Sequence, residues 1–114
     1  MARGSLAQGL EILTTETEVY QTPQQLVKTL IQKAEFVNTG GVAITFSAWI
    51  TPADATPTSN ALKVIDSKQM GSNETYVAIE LIGEYINTGG KLIVQSDNLG
   101  LSAWVNGNTF KTEV

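Results

Sequence analysis

Residues 42–50 read VAITFSAWI. Val42, Ile44, Phe46, Ala48 and Ile50 alternate strictly with Ala43, Thr45, Ser47 and Trp49. Successive side chains of a strand point to opposite faces, so this pattern defines a strand with one buried face. A helix would scatter the same apolar residues around its axis. Shorter alternations follow. Val77, Ile79 and Leu81 share one face, with Tyr76, Ala78 and Glu80 on the other. Leu92 and Val94 pair up, as do Leu101, Ala103 and Val105, and more weakly Leu62 and Val64.

Turn signals separate these runs: NTGG at 38–41, TPADATPTSN at 51–60, GSN at 71–73, NTGG at 87–90, SDNLG at 96–100 and NGN at 106–108. Short strands punctuated this often predict an all-β fold. The expected form is an antiparallel β-sandwich, jelly-roll-like, with about 7–8 short strands. Asn106-Gly107 is the sharpest hairpin signal, because Asn-Gly suits a type I′ turn. The chain has 114 residues, which suits one domain with a self-supporting core. Residues 13–114 are expected to form it. Residues 1–12, rich in small side chains, are expected to form a flexible N-terminal arm.

One segment resists. In TPQQLVKTLIQKAEF, Thr22 stands as an N-cap and Pro23 at the first helical position. Apolar residues at 26, 27, 30, 31 and 34 make a helical stripe. As a strand, one face carries Leu26, Lys28, Leu30, Gln32, Ala34 and Phe36, a poorer pattern. Local chemistry favours the helix.

EFVNTGGVAI at 35–44 and EYINTGGKLI at 84–93 repeat one phrase. A phosphate cradle needs backbone N–H groups at a helix N-terminus. Both copies run instead into strands, so the expectation is one hairpin solution used twice. Ser-Ala-Trp also recurs, at 47–49 and 102–104, but 9 positions after Asn38 and 15 after Asn87. That mismatch argues against a simple duplication.

The chain contains no His and no Cys. Imidazole triads, His-ligated zinc and thiolate chemistry are therefore closed to it. No nucleophile stands beside a base, and no catalytic, metal or cofactor-binding residue is expected. Glu16 and Glu18 sit among threonines, as on a solvated edge, and Asp54 reads as a turn-capping acid. The net charge is −4 and the seven basic residues are scattered, which disfavours nucleic-acid binding. No apolar run is long enough for a membrane helix, and MARGSLAQGL lacks the apolar core of a signal peptide. By alternation, Trp49 and Trp104 both face outward, and outward tryptophans mark contact surfaces.

The order of features resembles a group of small β-sandwich virion proteins of tailed bacteriophages. The matching stretches are LTTETEVYQTP, FVNTGG, VAITFSAWITPADATPTSNAL, ETYVAIEL and YINTGGKLIVQS, together covering about residues 13–114. The group's Gly-Asp after the penultimate turn is Gly89-Gly90 here, and residues 23–35 read more helically than its strand. The resemblance implies capsid decoration (cementing) without catalysis. It implies the major capsid protein and further copies of the chain, as homodimer or homotrimer, as partners. It implies location on the capsid exterior, after assembly in the host cytoplasm. It also turns residues 26–37 towards strand, with a helical turn near Pro23. The expected contact surface comprises Trp49, Trp104, Asp54 and Pro57 in the 51–60 loop, and Arg3 and Leu6 in the arm. A tail or neck accessory protein and a glycan-binding adhesin, with Asn98, Asn106 and Asn108 beside the tryptophans, are the alternatives.

Overall fold

A computed structural model describes residues 2–23, 27–53 and 62–111, with side chains from residue 6 onward. These residues form nine strands. They are β1 (Ala2–Ile12), β2 (Thr17–Gln21), β3 (Val27–Asn38), β4 (Ile44–Thr51), β5 (Lys63–Met70), β6 (Thr75–Val77), β7 (Tyr85–Ile86), β8 (Lys91–Ser96) and β9 (Leu101–Lys111). One sheet, sheet A, has the order β1-β9-β3-β6, with β7 also on β3. The other, sheet B, has the order β2-β8-β4-β5. All pairs are antiparallel and nest inside one another: β1 with β9, β2 with β8, β3 with β6 and β7, β4 with β5. That nesting is a long hairpin wrapped around a core, the jelly-roll arrangement of the β-sandwich. Because almost every pairing is distant in sequence, ring closure has to precede most of the stabilising contacts.

The core lies between the sheets. Ile31, Ala34 and Phe36 of β3 meet Ile44, Phe46 and Ala48 of β4, with Ile12, Leu92, Val94, Leu101, Ala103 and Val105 around them. Phe36 and Phe46 are in ring contact, their centroids 4.6 Å apart, and Tyr76 meets Phe46 edge-on at 6.4 Å.

Segment 27–38 is a strand, and a bulge explains its helical look. The register with β9 slips between Ile31 and Lys33. The inward set is therefore Thr29, Ile31, Ala34, Phe36 and Asn38. The step of three across the bulge imitates a helical i, i+3 spacing.

Several expectations are corrected. Residues 2–12 are not a flexible arm. They form β1, paired with β9 from Ala2↔Thr109 to Ile12↔Leu101. Asn106-Gly107 is not a turn. β9 runs straight through it, and Gly107 pairs with Ile31 and Gly4. A side chain there would collide with the Leu30 carbonyl oxygen of the neighbouring strand. Glycine stands at 107 for close approach of backbones, not for a positive φ.

Neither NTGG is a hairpin. The first leads from β3 in sheet A to β4 in sheet B, and the second from β7 in sheet A to β8 in sheet B. Each turns a corner of the sandwich, and by different means. In the first, buried Asn38 accepts from the Gly40 N–H at 3.0 Å and donates to the carbonyls of Val42 and Gly71 at 2.9 and 3.0 Å. In the second, Asn87 is exposed. There Gly89 adopts φ +72°, the Gly90 N–H bonds the Asn87 carbonyl at 2.8 Å, and Gly90 passes too close to the Thr51 carbonyl for a Cβ.

Candidate interaction surfaces

The register separates the two ends of the sandwich. Segments 13–16, 39–43, 71–74 and 97–100 cluster at one end, here the loop end, and residues 22–23, 52–53 and 87–90 at the other. Cross-links tie the loop end together. Thr39 N–H donates to the Gly100 carbonyl at 3.0 Å, Ser72 Oγ to the Gly40 carbonyl at 2.7 Å, and Thr45 N–H to Asp97 Oδ1 at 2.9 Å. Large apolar side chains nevertheless point out of it: Leu13, Val42 and Leu99, the last 57% exposed. Val42 was expected inside with Ile44. It precedes β4, in the corner, where strand alternation no longer applies.

The second exposed group lies on the outer face of sheet A. Opposed residues in an antiparallel pair point the same way. The row Gln8, Trp104, Glu35, Val77 therefore crosses four strands on one face. Trp104 is 45% exposed, with its ring edge against Gly9, which holds φ +67° in a bulge of β1. Lys33 reaches Glu35 at 3.3 Å beside it. Beyond Val77 the chain leaves the sheet, and Ile79, 72% exposed, with Ile82 and Tyr85 extends the apolar edge. Val77 and Ile79 share the exposed side, while buried Ala78 and half-buried Tyr76 take the core side. Leu81, expected to share their face, is buried, because β6 ends at Val77 and alternation does not continue beyond it. The Lys28 ammonium lies over the Tyr85 ring at 4.5 Å.

Trp49 is a correction of another kind. Alternation puts it on the outer face of sheet B, in the row Glu18, Ile93, Trp49, Lys63. It is only 5% exposed, however, with Ile93 buried beside it and the Lys63 ammonium 5.5 Å from its ring. It offers no contact surface. Among the described residues, no acceptor meets its buried Nε1–H. The tryptophans thus belong to opposite faces, one open and one covered. Leu6 packs against the core, and Arg3 sits in β1 opposite Asn108. Asp54 and Pro57 lie outside the described residues. Asn108 is buried, so the expected trio of asparagines does not form an exposed platform.

Tyr76 is the most perturbed side chain. Burial, then its hydrogen bonds of 2.7 Å to both Glu80 carboxylate oxygens, push its pKa up to about 12. The folded pKa lies above the ordinary value of 10.0, so the associated stability is intact below pH 10 and is lost as pH rises towards 12. The difference between absorbance titrations of the parent and a Tyr76→Phe variant should show a tyrosine ionising near pH 12. A difference centred near the ordinary value of 10.0 would contradict this environment.

No family model, curated protein or solved structure matches the chain. Among the described residues, no group of His, Cys, Asp and Glu is arranged to hold a metal ion.

Proposed function

We propose that the chain is a non-enzymatic structural protein of a tailed-phage virion. In this reading it is a decoration (cement) protein that binds the outside of the shell and bridges subunits of the major capsid protein. The observation that carries this is the division of exposed apolar side chains between two separate surfaces. One is the loop end, with Leu13, Val42 and Leu99; the other is the outer face of sheet A, with Trp104, Val77 and Ile79. Large exposed apolar groups gathered on one end or one face mark interaction sites. One partner needs one such surface, whereas a bridging protein needs two. Each contact can be weak when several engage together, because the second becomes effectively intramolecular. The phage-like order of motifs over residues 13–114 supports the same reading. A jelly roll alone does not, since that fold hosts many functions.

The loop end is assigned to the shell, because its cross-linked turns hold Leu13, Val42 and Leu99 in place before binding. Electron microscopy of virions labelled through this protein tests the location. Label over the head surface is the expected result. Label at the tail or neck would move the protein to an accessory role there, and unlabelled particles would overturn the virion reading.

A further inference from the structure

The outer face of sheet A has an occupant written into its charges. We propose that it pairs with the same face of a second copy of this chain, about a two-fold axis that crosses β3 at Ala34. This assigns an occupant to the second of the two surfaces on which the shell reading rests, and its test needs no shells.

The edges of the sandwich are poor candidates for self-association. β1 carries two register breaks, at Ser5/Ala7 and Gln8/Leu10, and β2 one, at Glu18/Tyr20. β5 carries two against β4, with Ser67 at φ +52° and its N–H turned to Ser47 Oγ at 2.9 Å. β6 and β7 are three and two residues long. Bulges and short edge strands are the devices that block edge-to-edge pairing. What is left open is a face.

On that face Lys33 and Glu35 stand one step apart along the central strand β3. A two-fold axis in the plane of the interface, perpendicular to the strands at the level of Ala34, reverses the strand direction and makes the contact isologous. It sets Lys33 of one copy against Glu35 of the other, twice. β9 is opposed to β9, so Trp104 lies over the second copy's Asn106, because Asn106 shares the row of Lys33. The Val77–Ile79 edge meets its own counterpart. Apolar groups then flank a four-charge centre, and each charge faces its opposite. An arbitrary partner would need this pattern supplied to it; a second copy brings it.

The test uses the full chain without shells. Sedimentation equilibrium at about 100 μM, above the micromolar range of weak specific pairs, should give twice the 12.2 kDa chain mass. Trp104→Asp should give the monomer. Lys33→Glu sets Glu against Glu and Glu35→Lys sets Lys against Lys, so each should weaken pairing at least about tenfold. Mixed together, these two variants should form a heterodimer, and the double swap should restore the homodimer. All these side chains are outward, so circular dichroism should show the parent fold in each variant. A monomeric parent overturns the proposal, as does a dimer indifferent to Trp104→Asp, or single variants that fail to pair on mixing. A dimer that does not bind shells would leave this pairing standing and defeat the shell reading alone.

Discussion

Gly107→Ala is expected to lower the melting temperature by more than about 10 °C, or to leave no soluble folded protein. The added Cβ would be driven into the Leu30 carbonyl oxygen and would come within 3.1 Å of Leu6 Cδ1. The obstruction is backbone, which cannot rotate away as a side-chain tip can. Relief requires β3 and β9 to separate from their spacing of about 4.8 Å at the centre of sheet A. Overpacking costs about 1–3 kcal/mol, and an obstruction that is backbone puts this site at the upper end. That is a large share of a typical stability of about 5–15 kcal/mol. Had Asn106-Gly107 been a type I′ turn, the same change would have struck only a hairpin tip. A loss of less than about 2 °C would therefore contradict the continuous β9 described above.

Phe36→Ala is expected to cost about 3–5 kcal/mol. Phe36 is fully buried and bridges the sheets through its contact with Phe46. Removing the ring leaves a cavity bounded by Phe46 and the strands of both sheets, which nested pairing prevents from collapsing. The readout is the denaturant midpoint, with an unchanged slope of free energy against denaturant. A cost below about 1 kcal/mol would mean that the sheets are not held together at this point.

How far the chain could be read from its residues follows from where simple periodicity holds. β4 is legible because its inward residues Ile44, Phe46 and Ala48 alternate without interruption. So is the outward side of Trp104, from Leu101, Ala103 and Val105. β3 is hard to read, since one inserted residue near Gln32 turns a period of two into a step of three. Only the register with β9 reveals it. The NTGG corners and Asn106-Gly107 mislead for a related reason. Glycine records that backbone must turn or approach closely, but not which of the two. Whether a turn joins neighbours or crosses between sheets depends on pairings dozens of residues away. β1 was hidden because its small residues and two bulges spoil alternation, while β9 supplies the partner that orders it.

The candidate surfaces divide in the same way. Alternation assigns side, not exposure, so Trp104 and Trp49 look equivalent in sequence although only one is open. The row that unites Trp104, Glu35 and Val77 joins residues from three strands, and no local motif announces it. Leu13, Val42 and Leu99 are brought together only by the convergence of turns at one end.

The most direct measurement for the decoration reading is pelleting of the purified chain with undecorated shells at micromolar concentration. The parent should co-sediment with the shells, and a Leu99→Asp variant, altered at the loop end with the fold intact, should remain largely in the supernatant. A parent that stays in the supernatant while the shells pellet would contradict the account.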